Sequence, residues 1–156
     1  MLQIKQTASG KTYRIATLAP GEKQYMDRKY RFDYIPAALQ GCPHVMTCGD
    51  DKMRSEHEVS FVLETDRPVE AYVLYPDKQP VLPGWLNEYE RMRMNVTRLD
   101  SDPSNLKGYF SIYRKSFSAG EIPFCGNSPD SMLAQERYVR TLAATYCMYS
   151  VALVEK

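Results

Sequence analysis

The residue types that could do chemistry are concentrated in one short stretch, HVMTCGDDKMRSEH, at positions 44–57. It contains both histidines of the chain, one cysteine and two adjacent aspartates: His44, Cys48, Asp50, Asp51 and His57. Imidazole, thiolate and carboxylate groups bind zinc, and the same groups act as nucleophiles and as general acids and bases. The stretch is therefore a candidate metal site or a candidate active site.

The spacing within this stretch argues against both kinds of site. It matches neither Cys-x-x-Cys nor His-Glu-x-x-His, the recurring zinc patterns. The chain also contains no Gly-x-Ser-x-Gly nucleophile motif. Asp50 and Asp51 favour a turn, because an aspartate side chain can bond to its own backbone two residues further on. We interpret the stretch as a polar connection between two strands, without a cofactor. A structural calcium ion held by Asp50 and Asp51 is the metal that fits best.

The segments around this stretch show the period-two alternation of β-strands. Three aromatic residues share one face of Lys29–Tyr34: Tyr30, Phe32 and Tyr34. Tyr146–Val154 is apolar on both faces, which is typical of a central strand. About eight such segments, separated by Pro, Gly, Asp and Ser clusters, predict an all-β fold, an antiparallel β-sandwich. We expect a single domain over residues 1–156, with one short helix near residues 129–137.

Composition excludes several classes of protein. Of the 156 residues, 44% are hydrophobic and 25% are charged, as in an ordinary globular domain. Twenty basic and 19 acidic residues leave a net charge of +1, so we expect no nucleic-acid partner, which usually requires a basic excess. No apolar run approaches the roughly 18 residues of a membrane helix, so we expect no membrane partner either. The first residues lack the apolar segment of a signal peptide.

The only tryptophan, Trp85, follows a proline-rich turn in VLPGWLNEY, residues 81–89. An exposed indole could stack on the apolar face of a sugar ring, supported by Tyr75 or Tyr89. Alternatively, Trp85 and Leu86 could fold back over the end of the sandwich as part of its core. The sequence leaves both interpretations open.

Several short motifs in residues 25–154 resemble a family of β-sandwich accessory domains, attached to bacterial polysaccharide lyases, glycosidases and other secreted carbohydrate-active proteins. The motifs are Asp27-Arg28-x-Tyr30, Pro36 with Leu39-x-Gly41, Thr47-x-x-Asp50-Asp51-Lys52, Phe61, Val69-x-x-Tyr72-Val73-x-Tyr75, Pro83-x-Trp85-Leu86, Tyr113, Phe117-x-x-Gly120, Gly126-Asn127 and Met148-Tyr149-Ser150-Val151. The resemblance covers nearly the whole chain, and residues 128–145 are an insertion relative to the family.

The resemblance implies a non-catalytic sandwich of the jelly-roll or galactose-binding-like kind, located outside the cell or in the periplasm. It implies a polysaccharide or oligosaccharide as ligand and a catalytic domain of the same parent protein as partner. The candidate ligand surface consists of five residues: Trp85, Tyr75, Asp50, Asp51 and Lys52. Alternatively, Asp27 and Arg28 could form a structural ion-pair network with Asp50 and Lys52.

The sequence therefore predicts a carbohydrate-associated binding or accessory module. Two alternatives stay open: a small saccharide-active enzyme that uses His44, Asp50 and His57, and a structural module that docks a catalytic partner without binding sugar. An exposed aromatic cluster beside polar groups would favour the binding module. A cleft with convergent carboxylates or histidines would favour the enzyme, and a broad apolar patch would favour the docking module.

Overall fold

The structure is a computed structural model that describes residues 1–100 and 106–156, with only the backbone of residues 141–145. Ten strands lie in the described part of the chain: β1 (Leu2–Thr7), β2 (Arg14–Thr17), β3 (Arg31–Tyr34), β4 (Pro43–Met46), β5 (Val59–Thr65), β6 (Val69–Pro76), β7 (Glu90–Leu99), β8 (Lys107–Phe117), β9 (Gly120–Cys125) and β10 (Ser150–Glu155). Two helices precede β10, α1 (Asp130–Leu133) and α2 (Glu136–Thr145). Single 3-10 turns occur at Ala37–Leu39, Gly49–Met53 and Gly84–Glu88.

The strands form two sheets. The larger sheet has seven strands in the order β2-β4-β10-β6-β8-β7-β3, and the smaller has three in the order β1-β5-β9. Neighbouring strands run antiparallel in both sheets. This arrangement confirms the predicted all-β sandwich. It also confirms the predicted central position of the last strand, since β10 lies between β4 and β6.

The central strands of the larger sheet bury side chains on both faces. In β6, Val73 and Tyr75 belong to a first core that lies between the two sheets, together with Phe61 of β5. Tyr72 and Leu74 belong to a second core on the opposite face of the larger sheet. A strand buried on both sides has a continuous apolar run, which is why β6 and β10 are the clearest β segments in the sequence.

The predicted helix near residues 129–137 is present but is longer and divided into α1 and α2. Leu142, Ala143 and Ala144, which lie near the end of α2, have high helix propensity. Tyr138 anchors α2, since it is 6% exposed and its hydroxyl accepts a hydrogen bond from the Gln79 amide at 2.6 Å. No helix in the described part of the chain is long and apolar enough to cross a membrane.

The predicted alternation of β3 breaks at a bulge. Phe32 pairs with Arg98 of β7 and Tyr34 pairs with Thr97, so Asp33 is an extra residue in the ladder. An extra residue reverses the side to which the next side chain points. Phe32 is therefore 2% exposed in the second core, whereas Tyr34 is 54% exposed. The prediction that the aromatic residues of this strand share one face is wrong for Tyr34.

Candidate functional site

His44 of β4 is buried beside the second core. It is 0% exposed, and its ring packs edge-on against Phe32 with 5.2 Å between the ring centroids. Backbone groups of Ala16 and Gln24 lie beside the imidazole, but neither ring nitrogen completes a hydrogen bond to a described residue. Burial disfavours the charged form and lowers the pKa of His44 to about 4. Because it is enclosed, His44 cannot contact a substrate.

His57 lies at the surface beside the start of α1. Its Nε2 is 3.5 Å from Asp130 Oδ2, and the Ser55 hydroxyl donates a hydrogen bond to the same carboxylate. In a catalytic triad the imidazole accepts the hydrogen bond of the serine hydroxyl. Here the Ser55 hydroxyl donates to the Asp130 carboxylate, so these residues do not form a triad. His44, Asp50 and His57, the three residues of the enzyme alternative, thus have separate neighbours in the structure. Among the described residues, no group of three His, Cys, Asp or Glu side chains is placed to hold a metal ion.

Asp51 is held by three donors. It accepts a hydrogen bond from the Ser9 hydroxyl at 2.9 Å, pairs with the Lys11 ammonium at 3.2 Å, and accepts a further hydrogen bond from the Tyr13 hydroxyl. The Asp51 side chain is only 8% exposed. Burial and the hydrogen bond to Asp51 raise the pKa of Tyr13. Asp51 thus ties residues 9–13 to the Gly49–Met53 turn, and its carboxylate is already occupied.

A second set of contacts fixes the same turn from another side. The Asp27 carboxylate accepts hydrogen bonds from the N–H groups of Gly49 and Asp50, at 2.7 and 3.1 Å. The Arg28 guanidinium bonds to the Asp50 carboxylate at 2.5 Å and lowers its pKa. Lys52 is 4% exposed, with Nζ 4.0 Å from Asp50 Oδ1. Lys52 is therefore too buried to lie on the predicted ligand surface. The contacts among Asp27, Arg28, Asp50 and Lys52 match the structural ion-pair network that the sequence allowed as an alternative.

Tyr75 lies inside the first core. It is 1% exposed, and its ring stacks on Tyr149 with 6.0 Å between the centroids. Its hydroxyl donates a hydrogen bond to the carbonyl oxygen of Asn127 at 2.8 Å. Tyr75, predicted to belong to a ligand surface, is therefore enclosed in the core, because β6 is buried on both faces.

Trp85 occupies the rim of the first core. Its indole Nε1 donates a hydrogen bond to the Gly126 carbonyl oxygen at 2.9 Å. The ring packs against Tyr149 and Tyr89, with centroid distances of 5.3 and 5.7 Å. The next residue, Leu86, is 3% exposed in the same core. These contacts match the interpretation in which Trp85 folds back over the end of the sandwich, rather than the one in which an exposed indole stacks on a sugar.

We expect Trp85→Ala to lower the free energy of unfolding by about 2–3 kcal/mol. The change removes a large ring from the first core and leaves the Gly126 carbonyl without its donor. Trp85→Phe retains most of the ring and should cost about 1 kcal/mol. Urea unfolding followed by circular dichroism measures both losses. An unchanged free energy of unfolding in Trp85→Ala would instead support an exposed indole that stacks on a sugar.

The structure reveals a cleft of about 240 Å³ where the ends of β6, β7 and β8 meet. Tyrosines and charged residues dominate its lining: Tyr30, Tyr109, Tyr146, Lys78, Arg98, Lys107 and Asp100. We call this feature the Arg98 cleft. None of the residues predicted to bind ligand belongs to it.

Arg98 is the most buried charged side chain of the cleft, with 11% of its surface exposed. Its guanidinium lies over the Tyr30 ring, 4.3 Å from the centroid, and 5.2 Å from the centroid of Phe110. Such cation–π contacts hold the plane of the guanidinium in a fixed orientation. Nε is 3.5 Å from Asp100 Oδ1 but completes no hydrogen bond. The guanidinium is therefore fixed in place, with one carboxylate beside it and a further hydrogen bond to the Tyr25 hydroxyl at 3.4 Å.

Gly108 of β8 makes room for this side chain. It pairs with Arg98 across the ladder, and a Cβ atom here would lie 2.9 Å from Nε and 3.1 Å from Cγ of Arg98. A larger residue would push the guanidinium away from Tyr30. Sequence reasoning missed the cleft because its residues come from separate segments. The arginine–glycine pair becomes visible only when the register of β7 and β8 is known.

Comparisons with known proteins support the fold. No protein-family model matches the chain, and no curated protein matches it. Among solved structures, a β-glucuronidase from glycoside hydrolase family 2 is similar, with a TM-score of 0.73 and 21% sequence identity. The similarity covers 96% of this chain and 14% of that chain. The chain thus has the fold of one small part of a much longer enzyme.

Proposed function

We propose that this chain is a non-catalytic, carbohydrate-associated binding module and that the Arg98 cleft is its sugar site. The observation that supports the proposal most is the lining of the cleft, which combines aromatic side chains with hydrogen-bond donors. A sugar site needs both, since a sugar ring has apolar C–H faces and a rim of hydroxyl groups. The similar fold within a glycoside hydrolase family 2 protein supports the same class of function.

The Arg98 cleft takes the place of the surface predicted around Trp85. Tyr30 and Tyr146 are both partly exposed at the cleft. Trp85 and Tyr75, in contrast, bond to backbone carbonyl groups of the 126–127 segment and pack in the first core. We therefore assign ligand stacking to the cleft tyrosines.

The cleft favours binding over cleavage. Hydrolysis of a glycosidic bond usually needs two carboxyl groups about 5–10 Å apart. Asp100 is the one carboxylate among the described lining residues, and it faces Arg98 at 3.5 Å. Both histidines lie outside the lining. A polysaccharide or oligosaccharide that enters the cleft should consequently be held and released unchanged.

The test is affinity electrophoresis through gels that contain plant and algal polysaccharides, with reducing-end release measured on the same mixtures. We expect retardation without release, with dissociation constants nearer millimolar than nanomolar, about −4 to −6 kcal/mol. Tyr30→Ala and Tyr146→Ala should each weaken binding about tenfold, because each removes one aromatic contact. Tyr34→Ala is the matched control, since Tyr34 is exposed but lies outside the cleft.

Three outcomes would contradict the proposal. Release of reducing ends by the purified chain would make it an enzyme. Equal loss of binding in Tyr34→Ala would place the site elsewhere. Absence of retardation by every glycan would favour a docking module, for which the exposed apolar residues Val81 and Leu82, 41% and 43% exposed, are the candidate contact with a catalytic domain of the parent protein.

A further inference from the structure

We infer that the Arg98 cleft selects saccharides that carry carboxylate groups, such as uronate polymers, over neutral saccharides. The inference rests on the proposed function and adds the charge of the ligand. It follows from the charge of the lining, from the fixed and largely buried guanidinium of Arg98 and from the position of Lys78.

The lining of the cleft has an excess of positive charge. Among the lining residues that the structure describes, Lys78, Arg98 and Lys107 are positive and Asp100 is negative, which leaves a charge of +2. Lys107 also pairs with Asp33 at 3.4 Å, which reduces the local charge to +1 when Asp33 is counted. The whole chain has a net charge of +1. Positive charge is therefore concentrated at the cleft in a chain that is nearly neutral.

Arg98 brings a fixed cation close to any ligand in the cleft. Its guanidinium is stacked on Tyr30 and Phe110, and its contact with Asp100 lacks a hydrogen bond. A partly desolvated charge interacts more strongly with a neighbouring charge than an exposed one does, because the effective dielectric constant is lower. A planar guanidinium also matches a carboxylate better than it matches a hydroxyl group.

Lys78 provides a second positive charge at the mouth of the cleft. It is exposed, and it makes no salt bridge with a described residue. A flexible, exposed ammonium group can follow a carboxylate on a sugar. A neutral sugar would gain little from this charge. The cleft thus has a fixed cation inside it, Arg98, and an exposed, flexible cation at its edge, Lys78.

The test compares acidic polysaccharides with their own neutral forms. Polygalacturonate, alginate and hyaluronan are each used beside a carboxyl-reduced preparation, which keeps the sugar chain and removes the charge. Carrageenan supplies sulfate groups, and polyacrylate supplies carboxylates without sugar. We expect at least one carboxylated polysaccharide to retard the full chain about tenfold more strongly than its reduced form, and this preference should shrink as salt is added.

Two substitutions locate the preference. Lys78→Gln should lower affinity for the acidic polymer about tenfold. Gly108→Ala keeps every charge but displaces the Arg98 guanidinium, and should lower the same affinity while affecting the reduced polymer less. Lys5→Gln is the matched control, since it removes one positive charge from β1 of the smaller sheet. Urea unfolding of each variant separates a loss of binding from a loss of structure.

The possible results separate this inference from the proposed function. Equal binding of acidic and reduced polymers at the Arg98 cleft would overturn the inference and leave the sugar-binding module standing. Preference for carrageenan or equal binding of polyacrylate would also overturn it, as would an equal effect of Lys5→Gln and Lys78→Gln. No binding to any saccharide would overturn both.

Discussion

Replacing Gly126 with alanine should destabilise the protein by about 4 kcal/mol or more, enough to unfold a large fraction of a domain of ordinary stability. A Cβ atom at this position would lie 2.2 Å from the carbonyl oxygen of Arg54 and 2.3 Å from that of Ser55. Both are backbone atoms that cannot rotate away. The Gly126 N–H also donates to the Glu58 carbonyl oxygen at 2.9 Å. Urea unfolding, or the yield of folded protein, measures the loss.

Gly84→Ala is the matched control for this prediction. A Cβ atom at Gly84 would meet Glu56 Oε1 at 3.2 Å, and this side-chain oxygen, which accepts a hydrogen bond from the Gly84 N–H at 2.8 Å, needs only a small shift. We expect a cost of about 1 kcal/mol or less. Similar stability of Gly126→Ala and Gly84→Ala would show that the crossing of the 54–58 and 126–128 segments is not as close as described.

Lowering the pH should remove about 3 kcal/mol of stability through His44 alone. Burial lowers the pKa of His44 in the folded protein to about 4, from an ordinary value of 6.5. Between pH 6.5 and pH 4, His44 is protonated in the unfolded chain and neutral in the folded protein. The contribution is therefore complete above pH 6.5 and is lost as the pH falls towards 4. About 2 kcal/mol should be lost by pH 5.

The dependence on His44 is isolated by comparing variants. The free energy of unfolding is measured with urea at a series of pH values for the unaltered protein, His44→Leu and His57→Gln, and its slope against pH is compared. His44→Leu should flatten the slope between pH 6.5 and 5, whereas His57→Gln should keep it, because His57 lies at the surface. Carboxylate groups titrate in all three proteins, so their contribution to the slope cancels when the proteins are compared. An unchanged slope in His44→Leu would show that water reaches His44.

The sequence predicted the strands that are supported by strong local patterns. β6 and β10 stand out because both of their faces are apolar, and the turns between strands are marked by proline and glycine. β1 was missed, since only Leu2 and Ile4 signal its buried face and the strand depends on pairing with β5. The bulge at Asp33 was also missed, because register between distant strands leaves no local signal.

The candidate site was harder to predict because burial decides which side chains are available. Tyr75 and Trp85 have the residue types of a sugar site, yet both are bonded to the 126–127 segment. Asp50 and Lys52 look reactive in sequence and are held within one network of ion pairs. Arg98, in contrast, has no feature in the sequence that distinguishes it from the other residues of its strand. Its position in the cleft depends on Gly108, which lies opposite it in the sheet.

We propose that saccharide binds at the Arg98 cleft and is not cleaved. The most direct measurement is nuclear magnetic resonance of the nitrogen-labelled chain, titrated with oligosaccharides of the polymer that retards it most in the gels. We predict that the amide signals of Tyr30, Lys78 and Gly108 shift with increasing ligand, while those of Asp50 and Trp85 stay in place and the ligand remains intact. Shifts centred on Asp50 or Trp85, or the appearance of shorter sugar fragments, would contradict the account.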